Sequence, residues 1–300
     1  MLVTFIDNHF SGFLAMASLT KSEKDDNRDS QSPITTLPAM LTIKQTGLSK
    51  RDHAILEKKQ RWLQTYLVAL PKSAKHLACA LNSTALFAQE EAGTAVCIAP
   101  EGILLTCSHC VAEDAEALDF AKDHWLVFAS GHVVRARTIA WDPKKDLALI
   151  RITEAQKSEP TDGAKDKSPS NPTLVQSGFP SIGIGTTTPA IGTKLVCIGH
   201  PGSEDLEIGR PGVKTGYDVL HVSEGKFRGY AEGQDLQDNS EIGALMHDCW
   251  TYWGHSGAPL VEVSSGKLAG LHSSWDDETC MRRGVPLEAI KAFLEEHDLV

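Results

Sequence analysis

Three short motifs each contain a side chain that could take part in nucleophilic catalysis, and two of them carry a proton-accepting group. His109 follows the apolar stretch 103–105, and a neutral imidazole accepts a proton near pH 7 because its unperturbed pKa is about 6.5. Asp146 begins the apolar stretch 147–150, which places its carboxylate at the rim of a core. A carboxylate there can accept a hydrogen bond and fix the tautomer of an imidazole. Taken singly, a histidine after a strand and an aspartate in a turn are more often structural than catalytic.

The third motif contains a nucleophile between two glycines. Ser256 lies between Gly254 and Gly257 and precedes an apolar stretch, an arrangement typical of a sharp turn. Such a turn can direct the amides of Gly254 and Ser256 at one point, where an oxyanion would be stabilised. Loss of one such donor lowers a rate by roughly 10²-fold or more. A glycine-rich β-turn with no catalytic role explains this motif equally well when it is considered alone.

The order of the three residues strengthens the catalytic interpretation. His109 precedes Asp146, which precedes Ser256. Chymotrypsin-type triads have this order, whereas subtilisin and the α/β-hydrolases have different ones. The combination indicates acyl transfer through a Ser-His-Asp triad, a mechanism that needs no cofactor, and we expect no bound metal.

The composition narrows the class of protein that could carry these motifs. The 300 residues include 29 basic and 39 acidic side chains, a formal net charge of −10, which disfavours binding to nucleic acid. No apolar run approaches the ~18–20 residues of a membrane helix, so we expect no stable membrane insertion. The seven cysteines and the absence of a clear signal peptide predict an intracellular, cytoplasmic location, with a mitochondrial one left open.

The elements that must position these residues are mostly strands. From about residue 84, short apolar stretches alternate with Gly, Pro and Asp, which predicts an all-β barrel or sandwich. We therefore divide the chain into an N-terminal extension, 1–83, and a β domain, 84–300. Within the extension, 18–40 has the composition of a disordered linker, and 49–70 has the cap and apolar spacing of a helix. A second amphipathic helix begins near residue 287.

At these motifs the sequence resembles the trypsin-like serine proteases, and among them the HtrA/Deg type. The similarity runs from about residue 93 to about residue 296. It rests on four segments: the strand–turn–strand leading to His109, the Asp motif at 142–150, the segment 191–201 and the closing segment 284–286.

This resemblance implies a fold and a set of roles. The fold would be two six-stranded antiparallel β-barrels joined near 154–190, with an N-terminal helical extension and a C-terminal helix. The activity would be that of an endopeptidase on polypeptide substrates. His109 would be the general base, Asp146 its orienting partner and Ser256 the nucleophile, with the amides of Gly254 and Ser256 as oxyanion hole. Ser274 and Trp275 would lie on the strand that binds the substrate.

The sequence departs from the family pattern in several places. His255 replaces the usual Asn or Asp before the nucleophile, so activation by capture of a freed N-terminus is not expected. No acid precedes Ser256 where trypsins select Lys or Arg, which favours an apolar or small P1 residue. The tryptophans Trp250, Trp253 and Trp275 would line that pocket or belong to the core. Only a few residues follow the last predicted helix, so we expect no PDZ module. The resemblance places the usual disulfide partner of Cys110 near Thr94, so we expect free thiols.

Two other interpretations stay open, and a third fits poorly. A catalytically weak pseudoprotease could use the same fold to bind unfolded peptides. A zinc site could use thiolates and imidazoles, with the ligands Cys107, Cys110, His109, His247 and Cys249. An esterase of the α/β-hydrolase type disagrees with the triad order and with the sequence around Ser256. The oligomeric state is open.

Overall fold

The computed structural model describes residues 33–66, 68, 70, 72–88, 93–156, 178–205, 207–208, 210 and 212–299. Within these ranges the chain forms thirteen β-strands and four α-helices. Sequence predictions for 1–32 and for 157–177 lie outside the described residues. Among the described residues, no helix combines the length and the apolar character needed to cross a membrane.

Six strands of the N-terminal half close into the first barrel. Their order around the ring is β7-β4-β3-β2-β5-β6, and β6 pairs with β7 to complete it. All six pairings within the ring are antiparallel. The strands are β2 (Thr84–Phe87), β3 (Thr94–Ala99), β4 (Ile103–Thr106), β5 (Asp123–Phe128), β6 (Val133–Asp142) and β7 (Leu147–Gln156).

The C-terminal half closes into a second antiparallel barrel of six strands, in the order β10-β13-β12-β11-β8-β9. Its strands are β8 (Lys194–Gly199), β9 (His221–Tyr230), β10 (Leu245–His247), β11 (Pro259–Glu262), β12 (Leu268–Asp276) and β13 (Met281–Pro286). The final helix, here α4 (Leu287–Glu296), follows β13 directly and buries one apolar face that includes Ile290 and Phe293. The two closed barrels and the terminal helices confirm the predicted fold class.

Strand periodicity explains why each half closes. Along β6, buried and less buried side chains alternate over much of the strand, as expected when one face of a sheet lines a core. Leu104 of β4 and Leu126 of β5 are fully buried in the first barrel. Leu195 of β8 and Leu260 of β11 are fully buried in the second. Closure removes the open edges that such apolar strands would otherwise present.

The N-terminal extension packs on the first barrel. Its elements are β1 (Thr35–Leu37), α1 (Ile43–Thr46), α2 (Lys50–Thr65) and α3 (Ala78–Ser83). Helix α2 ends at Thr65, before the predicted limit of residue 70, and it buries Leu56 and Leu63 in the core. The Trp125 indole N–H of β5 donates to the Thr46 carbonyl at 3.0 Å, which anchors α1 on the barrel.

The predicted disordered linker over 18–40 needs correction at its C-terminal end. Thr35–Leu37 forms the parallel strand β1 beside β7, and Leu37 is buried. Backbone pairing with β7 and burial of one leucine offset the polar composition that suggested disorder. The part of this interval before residue 33 lies outside the described residues.

Candidate active site

Asp146 occupies the turn between β6 and β7, in a conformation that few residues adopt. Its φ of 53° lies in the left-handed region, and strained backbone of this kind clusters at functional sites. The side chain is buried, with 4% of the residue exposed. Its Oδ1 accepts from the Ser108 hydroxyl at 3.0 Å and from His109 Nδ1 at 2.9 Å, and its Oδ2 accepts from the Ser273 hydroxyl at 2.6 Å. These donors compensate the buried negative charge.

The pKa of Asp146 is lowered despite its burial. Burial alone would raise the pKa, because a carboxylate loses hydration in the interior. Hydrogen bonds from His109, Ser273 and Ser108, together with the charge of His109, outweigh that effect. Asp146 is therefore ionised at neutral pH and can hold the His109 ring in one orientation.

His109 lies in the short 3-10 turn after β4, and 43% of its side chain is exposed. Desolvation lowers the pKa of its imidazole, but the neighbouring Cys110 side chain and the Asp146 carboxylate raise it, and the net direction is well above the ordinary value. Because Nδ1 donates to Asp146, Nε2 carries the lone pair of the neutral ring and is the atom able to accept a proton.

Ser256 lies on a turn that packs tightly against the first barrel. Gly257 has a φ of +79°, and a Cβ atom there would lie 2.1 Å from the Thr94 carbonyl oxygen and 2.4 Å from the Thr106 hydroxyl oxygen. Only glycine fits this approach. The Ser256 carbonyl accepts from the Thr94 amide at 2.8 Å, which ties the turn of the second barrel to β3 of the first.

Ser256 and Asp146 are connected through one further serine. The Ser256 hydroxyl donates to the Ser273 carbonyl at 3.2 Å, and the Ser273 hydroxyl donates to Asp146. On the other side, the Cys110 thiol lies 3.5 Å from the Ser256 carbonyl oxygen, next to His109. The three residues singled out in the sequence therefore meet in one cluster. Within the described residues, however, the Ser256 hydroxyl bonds to Ser273 and not to His109.

The turn before Ser256 has a defined peptide orientation. The Trp253 carbonyl accepts from the Gly202 amide at 2.5 Å, and Gly254 has a φ of +95°. In a planar trans peptide the carbonyl and the amide point in opposite directions. The Gly254 amide is thus turned away from Gly202. No hydrogen bond among the described residues occupies the amides of Gly254 and Ser256, the two donors named from the sequence.

His255 points into the core of the second barrel and is completely buried. Burial lowers the pKa of its imidazole to about 3, so the ring is neutral at physiological pH. The ring lies 5.6 Å from Trp250 and 6.3 Å from His272, both edge-on. A Cβ atom on Gly199 would be 2.6 Å from His255 Cδ2, so glycine at that position makes room for the ring. His255 therefore serves as a packing residue under the Ser256 turn.

The two residues expected to bind substrate lie near the end of β12. The pairing of β12 with β13 shifts register between His272 and Ser274, which marks a β-bulge beside them. Trp275 is 44% exposed, and the Arg282 guanidinium carbon lies 4.7 Å from its ring centroid. Trp253 is also exposed, whereas Trp250 is partly buried among aromatic rings.

The cysteines and the other potential metal ligands are not grouped as the zinc site suggested by the sequence would require. All seven cysteines are free. Among the described residues, one set of three potential ligands lies within 4.8 Å of one another, namely Cys107, His109 and Asp146. His247 instead pairs with His272, Nε2 to Nδ1, at 3.0 Å. The ligand set suggested by the sequence is therefore not assembled.

Two hydroxyl groups at the site were missed by the reasoning from sequence. Ser108 and Ser273 both donate to Asp146. Ser108 immediately precedes His109, which was a usable signal. Ser273 precedes the predicted Ser274, and the bulge that directs the Ser273 side chain to Asp146 leaves no trace in the sequence pattern.

No curated protein matches the chain. Solved structures that resemble it include an inactive form of Rv3671c from M. tuberculosis H37Rv, a serine-to-alanine mutant, with 14% identity over 77% of this chain and 95% of that one and a TM-score of 0.49. The HtrA-type protease AlgW with a decapeptide has 21% identity over 68% of this chain and 51% of that one, with a TM-score of 0.43.

The sequence itself matches a family over the region that contains the candidate site. The matched family is the trypsin-like peptidase domain, over residues 93–271. This is more than half of the 300 residues and includes His109, Asp146 and Ser256. The chain therefore belongs to the trypsin-like peptidase domain family.

Proposed function

We propose that the chain is a serine endopeptidase that hydrolyses polypeptides through His109, Asp146 and Ser256. The observation that carries this proposal is the 2.9 Å hydrogen bond between His109 Nδ1 and the buried Asp146 carboxylate. It selects the tautomer in which Nε2 can act as a base. The turn that carries Ser256 lies beside this pair, linked through Ser273 and Cys110.

In the proposed reaction the Ser256 hydroxyl exchanges the Ser273 carbonyl for His109 Nε2. His109 removes the hydroxyl proton while Ser256 Oγ attacks the carbonyl carbon of the scissile peptide bond. The negative charge that develops on the carbonyl oxygen is stabilised by the amides of Gly254 and Ser256. Asp146 stabilises the imidazolium, which then protonates the leaving amine. Water repeats the sequence on the acyl-enzyme and releases the acid.

Covalent labelling tests this proposal directly. A fluorophosphonate probe should label the purified chain, and peptide mapping by mass spectrometry should locate the adduct on Ser256. Ser256→Ala should remove the label and lower kcat for casein or peptide hydrolysis by about 10⁴-fold or more. Ser265→Ala, an exposed serine in the turn after β11, is the matched control and should retain both. Undiminished cleavage by Ser256→Ala would refute the assignment.

A second candidate function is peptide binding without cleavage. The hydrogen bond from the Ser256 hydroxyl to the Ser273 carbonyl favours it, since the hydroxyl is turned from the base. A pseudoprotease of this kind would bind unfolded polypeptides beside the same residues. Absence of fluorophosphonate labelling, together with retained binding of an unfolded peptide, would support this alternative over the endopeptidase.

A further inference from the structure

Three potential metal ligands from two turns of the first barrel converge at the candidate active site. The Cys107 sulfur, a ring nitrogen of His109 and a carboxylate oxygen of Asp146 all lie within 4.8 Å of one another. The His109 nitrogen that faces Asp146 is Nδ1, at 2.9 Å from Oδ1. Cys107 and His109 follow β4, and Asp146 precedes β7. The pairing of Thr106 with Ala148 between these two strands brings the turns together.

The types and spacing of these three ligands suit zinc. Zn²⁺ binds thiolate sulfur at about 2.3 Å and imidazole nitrogen or carboxylate oxygen at about 2.0–2.2 Å. In a tetrahedron with these bond lengths, the ligand atoms lie about 3.3–3.7 Å apart. His109 Nδ1 and Asp146 Oδ1 must therefore separate by about 0.4 Å, and no other pair has to close by more than about 1.5 Å. Side-chain adjustments of this size need no change in the strands.

The charges and the surroundings of the ligands also suit a buried dication. Cys107 is fully buried and Asp146 nearly so, and an uncompensated ion would lose its hydration there. One thiolate and one carboxylate neutralise Zn²⁺, and the imidazole binds it as a neutral ligand. The hydroxyl groups of Ser108 and Ser273 donate to the carboxylate and orient it, as outer-shell groups do for metal ligands. The half-exposed side of His109 provides the entry path and leaves the fourth position to water.

We propose that Cys107, His109 and Asp146 bind a zinc ion that inhibits the peptidase. The ion replaces the proton on the Cys107 thiol, which is released to solvent, and the proton on His109 Nδ1, which moves to Nε2. The imidazole stays neutral in this exchange. With Nδ1 on the metal and Nε2 protonated, His109 has no lone pair with which to accept the Ser256 proton.

The zinc ion in this proposal is an inhibitor and takes no part in peptide hydrolysis. It competes with the hydrogen bond from His109 to Asp146, so the metal-bound and the catalytic arrangements exclude each other. The inhibition rests on the proposed function. Binding of the metal does not, because Ser256 supplies no ligand, and binding can therefore be tested separately from proteolysis.

Titration of the full, reduced chain with Co²⁺ tests the site by absorption spectroscopy. Co²⁺ occupies tetrahedral zinc sites, and a bound thiolate gives a charge-transfer band in the near ultraviolet. The unsubstituted chain should develop this band with one equivalent of Co²⁺, and Zn²⁺ should abolish it. Cys107→Ser should lose the band and bind Co²⁺ at least about 10²-fold more weakly, since loss of an outer-shell group alone costs about 10–100-fold in metal affinity.

Cys97→Ser is the matched control for Cys107→Ser. Cys97 is also a free, fully buried cysteine, and its thiol donates to the Ala99 carbonyl at 3.2 Å, outside the ligand cluster. This variant should keep the band and the affinity for Co²⁺. If the serine variants fail to fold, Cys107→Ala and Cys97→Ala make the same comparison without burying a hydroxyl group. Ser256→Ala should bind Co²⁺ with unchanged affinity.

Fluorophosphonate labelling with and without Zn²⁺ tests the inhibition. Each variant is compared with its own labelling rate after treatment with EDTA. Saturating Zn²⁺ should lower the labelling rate at Ser256 by at least about 10²-fold in the unsubstituted chain and in Cys97→Ser, which is the lower end of what a general base contributes. The same Zn²⁺ concentration should change the rate of Cys107→Ser by less than about twofold, because metal affinity falls at least about 10²-fold.

Three results would overturn the proposal. The first is the absence of the charge-transfer band in the unsubstituted chain. The second is equal Co²⁺ affinity in Cys107→Ser and Cys97→Ser. The third is an unchanged labelling rate at Ser256 in a chain saturated with Zn²⁺. A chain that develops the band but is not labelled even in EDTA would contradict the proposed function and the inhibition, and would support the metal site.

Discussion

Replacement of Gly257 by alanine tests whether the Ser256 turn is held by its contact with the first barrel. The new Cβ atom would lie 2.1 Å from the Thr94 carbonyl oxygen and 2.4 Å from the Thr106 hydroxyl oxygen, at a φ of +79°. Gly233 has a similar φ of +75° with no atom within 4 Å of such a Cβ. Gly233→Ala is therefore a control with the same backbone strain and no steric overlap.

The free energies of unfolding of the two variants should differ only by the cost of the steric overlap at Gly257→Ala. An alanine in the left-handed region costs about 1–2 kcal/mol, which applies to both. Overpacking adds typically about 1–3 kcal/mol, which applies only to Gly257→Ala. Because domains of this kind have about 5–15 kcal/mol of stability, both variants should still fold. The turn must shift to relieve the overlap, and a displacement near 1 Å can lower activity by about 10²-fold.

Urea denaturation and peptide hydrolysis measure the two effects. We expect Gly257→Ala to lose about 1–3 kcal/mol more in the free energy of unfolding than Gly233→Ala, and to lose activity that Gly233→Ala retains. If both variants were equally stable and equally active, the described packing of the Ser256 turn against β3 and β4 would be wrong.

Three further outcomes follow from the same site and its surroundings. Ser273→Ala removes a 2.6 Å hydrogen bond to the buried Asp146 carboxylate and should lower the free energy of unfolding by about 1.5–3 kcal/mol at pH 7. Because the pKa of Asp146 is lowered in the folded chain, urea denaturation at a series of pH values should show this difference shrinking as the pH falls and Asp146 becomes protonated. Cys110→Ala removes a group that raises the pKa of His109, so the acid limb of the kcat/KM profile should move to lower pH; an unmoved limb would contradict this. His247 and His255 have pKa values of about 3 in the folded chain and about 6.5 in the unfolded chain, so the unfolded chain binds more protons between these pH values. The free energy of unfolding should therefore decrease as the pH is lowered, by about 2.7 kcal/mol per pH unit near pH 5 from these two residues alone. An unchanged free energy of unfolding between about pH 5.5 and 4.5 would exclude their burial as neutral rings.

The β architecture could be predicted from the sequence because its signal is local. Short apolar stretches such as 147–150 and 194–199 are bounded by turn residues, and most became strands close to the expected positions. Strand β1 escaped prediction because its stability comes from pairing with β7, a partner more than a hundred residues away. The end of α2 was also misplaced. The apolar spacing continues to Leu70, but the chain leaves the helical conformation at Tyr66, where φ is −109° and ψ is 111°.

The three candidate catalytic residues could be singled out in the sequence for a different reason. Each of its three side chains lies at a strand end or in a turn next to a strand, and the order along the chain restricts the arrangement. The residues that support them could not be predicted from the sequence. Ser273 reaches Asp146 because a bulge in β12 shifts the register by one residue, and a shift of one residue decides which side of a strand a side chain faces.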